Sequence, residues 1–431
     1  MRFHIETYGC TSNMGNSMDA ASALISLGHR SSNIEEADII IVNTCAVTQK
    51  TENKIVKRLR QLPPDRLVIS GCLPTAIPGS TEQIPCRKIM GQLNRTTVVE
   101  VVRSLGEEFL GHRASNNSHN LIADKKTVHN ADAPEHLCAI INIAEGCLGR
   151  CSYCIVRRAR GKLVSLEPEL VMEQARSMID SGAVELQLAA QDTAAYGLDI
   201  GTSLPELLNK IVEIPGRFMV RVGMMNPDMA LPIMNELTEA LRNPKIYKFL
   251  HIPVQSGSDE VLKRMCRRYT SADYIDILRS LRDKLPGISF ATDVISGFPG
   301  ETDEDFDMTM RLLEQTRPDK VNITRYSRRP QTPAADLYDM PDRIKKDRSR
   351  KLTKLWLDIA GKNNRRYLGL KLRAIVTERG RCSSMKARTE NYTGVVIKGA
   401  PPLGSQQTVR IVSFGPYYLT GSMESLAAEL F

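Results

Sequence analysis

The chain has 431 residues and a mass of 48.0 kDa, which favours about three domains over one hydrophobic core. Hydrophobic residues make up 42% and charged residues 25%, which excludes a disordered or fibrous chain. No apolar run reaches the ~18 residues of a membrane span, and the first residues lack a signal peptide's apolar core. We therefore expect a cytoplasmic protein with no membrane partner. The net charge of +9 suits a polyanionic partner, and ten cysteines favour metal or redox chemistry over disulfides.

Three short apolar runs near the start of the chain each lead into a cysteine, namely Cys10, Cys45 and Cys72. Apolar runs of this kind, bounded by Gly or Asn, predict buried strands. Helical stretches lie between them, the first at 17–27, and this alternation predicts a parallel α/β sandwich. Ligands bind beyond the carboxyl ends of such strands, where we expect the three cysteines to meet. Packing cysteines are the alternative, but the shared placement favours a metal or cluster site with one open coordination position.

The most specific motif is CxxxCxxC, formed by Cys147, Cys151 and Cys154. Three thiolates this close can each bind one iron of a [4Fe–4S] cube and leave the fourth iron open. A zinc site would need a fourth Cys or His nearby, yet the next histidine is His251. The motif resembles that of the radical S-adenosylmethionine (SAM) enzymes.

Around this motif, strand-like runs alternate with helical segments. Counting the run before Cys147, six such units predict an open or partial (β/α)6 barrel with its chemistry at the carboxyl ends of the strands. The predicted strands are 138–143, 184–190, 218–223, 247–252, 288–295 and 320–326.

Over essentially its whole length the chain resembles the methylthiotransferase family of radical-SAM enzymes. The segments that resemble family motifs are Thr7–Asn13, Asn43–Val47, Ser70–Cys72, Glu145–Cys154, His251–Ser258, Gly297–Thr302 and Tyr326–Ala335. The resemblance implies two [4Fe–4S] clusters, an auxiliary one on Cys10, Cys45 and Cys72 and a radical-SAM one on Cys147, Cys151 and Cys154. It also implies an electron donor such as ferredoxin or flavodoxin, a sulfur donor, and two SAM molecules per turnover. The residues implied to lie near SAM are Tyr153, Gln191, Asn226 and Gln255.

The family branches differ in substrate. The sequence of residues 154–163 is most similar to that of the branch that acts on threonylcarbamoyladenosine in tRNA, beside the anticodon. Thr11-Ser12 differs from the residues that the bacterial isopentenyladenosine enzymes have after their first cysteine. Isopentenyladenosine tRNA and an aspartate of a ribosomal protein stay open as alternative substrates. A non-catalytic iron–sulfur RNA-binding protein is an alternative of another class. A cobalamin-dependent radical enzyme is a further one, although the first domain has no Asp-x-His motif.

A strongly basic helix is predicted after the barrel. Between 340 and 373, twelve Lys or Arg oppose three Asp or Glu, an excess equal to the whole net charge. The local excess of basic residues favours a phosphate-binding surface. A helix face that is merely solvated is the alternative. The residues expected to contact RNA are Arg343, Lys345, Lys346, Arg350, Lys354, Arg365 and Arg366.

Short strands after 370 predict a small antiparallel β-barrel that is similar to the TRAM module, which binds RNA in this family. The predicted domains are 1–111 with the auxiliary cluster, a linker at 112–133, a radical-SAM domain at 134–340, the basic helix at 341–367 and the TRAM-like domain at 368–431. The four remaining cysteines have no partner spacing, and we expect them to be packing residues: Cys86, Cys138, Cys266 and Cys382.

Overall fold

The computed structural model describes residues 1–109 and 137–423. The expected linker at 112–133 lies outside the described residues. Contacts between Cα atoms divide the described chain into two compact units. The first contains 1–109 and the segment Cys154–Lys162, and the second contains 137–153 and 163–423. That segment, which we expected in the radical-SAM domain, therefore packs with the N-terminal residues.

The first unit is a five-stranded, wholly parallel sheet with the strand order β2-β1-β3-β4-β5. Its strands are β1 (Arg2–Thr7), β2 (Arg30–Ser31), β3 (Ile39–Thr44), β4 (Leu67–Gly71) and β5 (Lys88–Ile89). Its helices are α1 (Thr11–Ser26), α2 (Gln49–Leu59), α3 (Cys72–Ala76), α4 (Arg95–Phe109) and α5 (Val156–Arg160). This confirms the predicted parallel α/β fold and adds two short edge strands, β2 and β5.

Two apolar cores cover the two faces of this sheet. Ile39 and Ile41 face the core that α1 and α4 complete, whereas Ile40 and Val42 face the core that α2 completes. Successive side chains of a strand point to opposite faces, so β3 needs an unbroken β-branched run to be buried on both.

Helix α1 begins at Thr11, directly after Cys10, and not at residue 17 as the apolar spacing predicted. Its first two turns bury the polar residues Ser12, Asn13, Asn16 and Ser17. A prediction from the spacing of apolar residues does not recognise polar residues as the buried face of a helix. The earlier start places Cys10 at the N-terminal end of the helix, where unpaired N–H groups give a partial positive charge.

The second unit contains six parallel strands in chain order, β6-β9-β10-β11-β12-β13. The β10-β9-β6 sheet and the β11-β12-β13 sheet are joined by isolated parallel bridges from Val220 to Ile246 and from Met224 to His251. Among the described residues no pairing joins β6 to β13, so the barrel is partial, as predicted. The strands, with a β7-β8 hairpin, are β6 (Cys138–Asn142), β7 (Ala144–Glu145), β8 (Val164–Ser165), β9 (Glu185–Ala189), β10 (Met219–Val222), β11 (Phe249–His251), β12 (Ser289–Ser296) and β13 (Lys320–Arg325).

Eight helices belong to this unit among the described residues. They are α6 (Pro168–Asp180), α7 (Leu204–Val212), α8 (Pro227–Ala230), α9 (Met234–Leu241), α10 (Asp259–Arg264), α11 (Ser271–Lys284), α12 (Asp303–Thr316) and the long α13 (Asp342–Arg365). None of the helices in the described parts of the chain combines the length and apolar character that a membrane span requires.

A closed five-stranded barrel follows α13, with the strand order β14-β15-β16-β18-β17. Every neighbouring pair is antiparallel except β16 and β18, which are parallel. The strands are β14 (Lys371–Arg379), β15 (Ser384–Thr389), β16 (Gly394–Lys398), β17 (Gln406–Phe414) and β18 (Leu419–Met423).

The turn between β15 and β16 docks this small barrel onto the partial barrel. The ring of Tyr392 lies 4.9 Å from that of Tyr247 and 5.1 Å from that of Phe249. Its hydroxyl donates to Glu185 at 3.0 Å, and the hydroxyl of Tyr247 donates to the same carboxylate at 3.2 Å. A buried carboxylate needs such donors. Tyr392 supplies one of them from the small barrel and so ties this barrel to the partial barrel within the second unit.

Candidate cluster and SAM sites

The first candidate site lies at the carboxyl edge of the N-terminal sheet. Strands β1, β3 and β4 are neighbours and end together, since Thr7 pairs with Asn43 and Thr44 with Gly71. Cys45 and Cys72 directly follow β3 and β4, and Cys10 follows β1 after two residues. Two of the thiols are 7% exposed or less, those of Cys45 and Cys72, whereas Cys10 is exposed. The structure thus brings the three predicted ligands to one edge, with one of them open to solvent.

The pKa of Cys45 depends on its burial and on the neighbouring thiols. Burial, with smaller contributions from Cys72 and Cys10, raises this pKa to about 11, while a backbone hydrogen bond at Val47 opposes the rise. Among the described residues no three His, Cys, Asp or Glu side chains are close enough to bind a single metal ion. A [4Fe–4S] cube does not require such a group, because each thiolate of a cube binds a different iron.

Polar side chains hold these three loops in place. Asn13 donates to the backbone carbonyls of Tyr8 at 2.7 Å and Thr44 at 2.9 Å, and so ties the loop of Cys10 to that of Cys45. Its Oδ1 lies 3.8 Å from the Sγ of Cys72. The amide of Gln92 lies 3.8 Å from the same sulfur. The spacing of Asn13 and Gln92 in the sequence gave no sign of these roles.

The second candidate site is the loop of the CxxxCxxC motif. The N–H of Gly149 donates to the Sγ of Cys147 at 3.2 Å. A Cβ at position 149 would lie 3.2 Å from this sulfur and 3.7 Å from the Sγ of Cys151, so the glycine lies between the two sulfurs. Ser152 anchors the loop through its N–H to the carbonyl of Met265 at 3.0 Å.

Two of the predicted SAM residues belong to one hydrogen-bond network. The half-buried guanidinium of Arg267 donates to the hydroxyl of Tyr153 and, at 2.7 Å, to the Oδ1 of Asn226. Asn226 in turn donates to the buried Asp192 at 2.7 Å. Burial raises the pKa of Asp192 to about 6, partly opposed by Asn226. Arg267 is a site residue that sequence reasoning missed, since it belongs to none of the recognised motifs.

The other two predicted SAM residues have separate surroundings. Gln191 accepts a 2.6 Å hydrogen bond from the N–H of Gly146, the residue before Cys147. Gln255 has a left-handed backbone with φ of 67° and is 7% exposed. Its Oε1 is buried with no hydrogen-bond partner among the described residues. A buried acceptor without a donor is costly, so Gln255 fits a position that a ligand completes.

The Gly297–Thr302 motif anchors helix α13. A Cβ on Gly297 would clash with the side chain of Lys345, and Arg348 donates to Glu301 and, at 2.7 Å, to Asp303. Lys345 is 4% exposed, and its Nζ lies 3.0 Å from Asp339. Lys345 was therefore wrongly predicted as a phosphate-binding residue, because its charge is buried and paired.

The other predicted RNA-contacting residues are exposed. They are Arg343, Lys346, Arg350, Lys354, Arg365 and Arg366. Positions 343, 346, 350 and 354 follow the three- and four-residue spacing of one helix face. Arg366 is paired with Asp319 at 3.2 Å. Among the remaining cysteines, Cys266 and Cys382 are exposed, so the expectation that they pack in a core was wrong.

Three family models match the chain. Residues 2–90 match a model described as Uncharacterized protein family UPF0004, 141–313 match the Radical SAM superfamily, and 365–423 match the TRAM domain. The solved radical SAM methyltransferase TsrM from Kitasatospora setae, in a structure with cobalamin and a [4Fe–4S] cluster, has a TM-score of 0.57 at 16% identity. The match covers 78% of this chain and 74% of the TsrM chain, and at this identity it supports only a similar fold.

Curated relatives match nearly the full length. The probable threonylcarbamoyladenosine tRNA methylthiotransferase of Archaeoglobus fulgidus is 41% identical over 100% of this chain and 99% of its own. The probable enzyme of the same description from Methanocaldococcus jannaschii is 36% identical, over 98% and 97%. The chain belongs to the radical-SAM methylthiotransferase family. The human threonylcarbamoyladenosine tRNA methylthiotransferase is 34% identical over 97% of this chain and 73% of its own. As a family member, the protein is a radical-SAM enzyme.

We expect Gly71→Ala to disrupt the cysteine edge of this methylthiotransferase. Gly71 has φ of 98° and ψ of −153°, a region that other residues enter at a cost of about 1–3 kcal/mol. A Cβ there would also lie 2.5 Å from the Oδ1 of Asn43 and 2.6 Å from the backbone N of Thr44. The free energy of unfolding should fall by at least about 2 kcal/mol, as measured by denaturant unfolding of the iron-free protein.

Gly79→Ala is the matched control, because a Cβ at Gly79 would meet no atom within 4 Å. Equal stability of the two variants would contradict the strain that we assign to Gly71.

Proposed function

We propose that this enzyme converts N6-threonylcarbamoyladenosine of tRNA, in the cytoplasm, to its 2-methylthio derivative with two [4Fe–4S] clusters and SAM. The observation that supports this most strongly is the meeting of Cys10, Cys45 and Cys72 in a chain whose full-length relatives are described as enzymes for this nucleoside. The target C–H bond has no acidic character, so general-base chemistry does not suffice and a radical is required.

The residues present fit the two clusters. Cys10, Cys45 and Cys72 would hold the auxiliary cluster, and Cys147, Cys151 and Cys154 the radical-SAM cluster. Each set offers three thiolates for four irons, which leaves one iron free for another ligand. When bound, the radical-SAM cluster supplies the electron that cleaves SAM, and the auxiliary cluster supplies the sulfur for insertion.

The chain's own residues would orient SAM. Tyr153 would lie beside the adenine, held by Arg267, which also fixes the amide of Asn226. Gln191 would hold the backbone that leads into Cys147, and Gln255 would offer its free Oε1 to a donor of SAM. Because these hydrogen bonds form among the protein's own residues, the side chains would be ordered before SAM binds, which lowers the entropic cost of binding.

The exposed face of α13 would contact the tRNA backbone. Arg343, Lys346, Arg350 and Lys354 follow one another on that face, and the small barrel is fixed beyond its C-terminal end. The match to the TRAM domain supports nucleic acid as the partner of this region. Each cation that neutralises a phosphate releases a counterion, so such a face makes binding salt-dependent.

Iron and sulfide counts test the two-cluster proposal. Protein purified without oxygen should bind about eight irons, and Cys10→Ala should lower this to about four, because each cube is ligated independently. Cys86→Ala is the matched control, since Cys86 belongs to neither triad. If the wild-type protein binds only about four irons and Cys10→Ala does not change this number, the proposal of an auxiliary cluster is refuted.

The nucleosides of tRNA test the substrate. Expression in a host that lacks its own enzyme should produce 2-methylthio-N6-threonylcarbamoyladenosine, detected by mass spectrometry of digested tRNA, and Cys45→Ala should abolish it. Formation of the methylthio derivative of isopentenyladenosine, or methylthiolation of a ribosomal protein, would instead support the alternative substrates. If iron-loaded, chemically reduced protein binds tRNA but never cleaves SAM, the enzyme proposal fails.

The salt dependence of tRNA binding tests the α13 face. Replacing Arg350 and Lys354 by Ala should lower the slope of log affinity against log salt by about 2, equally for different tRNAs. Lys362→Ala is the control on the same helix, because its Nζ is paired with Asp358 at 2.6 Å. An unchanged slope in the double variant would place the RNA elsewhere.

A further inference from the structure

The segment Cys154–Lys162 brings a positive charge into the N-terminal unit. It begins at a cysteine of the radical-SAM motif, yet its contacts assign it to the unit of the other three cysteines. Its helix α5 ends at Arg160, whose side chain is 8% exposed. A buried guanidinium is costly unless it has partners that justify its position.

Arg160 has two asparagine partners, one of which lies beside Cys72. Its guanidinium donates to the Oδ1 of Asn13 and, at 3.0 Å, to the Oδ1 of Asn16. These amides satisfy N–H groups without neutralising the charge. The Oδ1 of Asn13, which accepts from Arg160, lies 3.8 Å from the Sγ of Cys72.

The backbone of the same segment contacts this site as well. The amide of Gln92 donates to the carbonyl of Ala159 at 2.9 Å, and the same nitrogen lies 3.8 Å from the Sγ of Cys72. Arg160 and Gln92 are therefore held together on the Cys72 side of the triad. These contacts hold the end of α5 and its guanidinium on the side of Cys72.

We infer that Arg160 is a positioning residue that raises the reduction potential of the auxiliary cluster through the positive charge that Asn13 holds beside Cys72. The inference rests on the proposed function, since it requires a cluster on Cys10, Cys45 and Cys72. Reduction adds one electron to the cluster, and a fixed positive charge beside a ligating sulfur stabilises the more negative state. The same charge favours an anionic sulfur species as the ligand of the open iron.

The test is a potentiometric titration of full-length protein, followed by electron paramagnetic resonance of the reduced cluster. Cys147→Ala and Cys151→Ala remove the radical-SAM cluster from this background, so only the auxiliary cluster is observed. At the midpoint potential of the parent protein, Arg160→Gln should lower the ratio of reduced to oxidised cluster at least about tenfold, a shift of about −59 mV. Arg160→Lys, which keeps the charge, should shift the potential less.

Arg158→Gln is the matched control. Arg158 belongs to the same helix, but its Nε donates to the carbonyl of Ala76 at 3.0 Å and its side chain is exposed. This variant should keep the parent potential. If Arg160→Gln binds about four irons at the same potential as Arg158→Gln, the inference is overturned and Arg160 is a packing residue only.

Iron content separates the remaining outcomes. Loss of the cluster in Arg160→Gln with recovery in Arg160→Lys, at a potential near that of the parent, supports the role of the charge. Loss in both variants means that the exact shape of the guanidinium is needed for assembly, and this overturns the inference. A parent protein without iron on the three N-terminal cysteines refutes the proposed function itself, which is a distinct result.

Discussion

The parallel register of β1, β3 and β4 is the constraint on which the candidate chemistry depends. Because Thr7 pairs with Asn43 and Thr44 with Gly71, three loops that are distant in sequence leave the sheet at one edge. A slip of one residue would turn each strand's buried side chains to the wrong core, so the two apolar cores hold the register. The hydrophobic effect therefore positions the thiols, and the polar side chain of Asn13 completes their arrangement.

The parts of the fold that could be predicted are those specified by local sequence. Helices α7 and α12 are of this kind, since Ser203 and Thr302 cap them and apolar spacing continues to their ends. Strands β2 and β5 were missed because two residues carry no periodicity. The start of α1 was missed for a different reason. Its first turns bury polar side chains against the cysteine loops, and only the tertiary structure supplies their partners.

The basic helix shows why charge counting alone overstates a binding surface. Its local excess equals the net charge of the chain, yet Lys345 and Arg348 are buried and paired with carboxylates of neighbouring loops. Arg348 holds the Gly297–Thr302 loop against the helix through Glu301, and Lys345 holds the segment before the helix through Asp339. Sequence could not separate these two from Arg350 and Lys354, because all four lie within the same basic run and differ only in which face meets the protein.

The segment after Cys154 links the two cysteine motifs through the chain itself. Cys154 belongs to the motif of Cys147 and Cys151, while five residues further on Ala159 and then Arg160 contact the surroundings of Cys72. A link of this kind needs no moving element, since a fixed charge acts on an electron at a distance. Because Asn13 and Asn16 hold the guanidinium of Arg160 within the N-terminal unit, its effect on electron uptake would not depend on a cluster at Cys147 and Cys151.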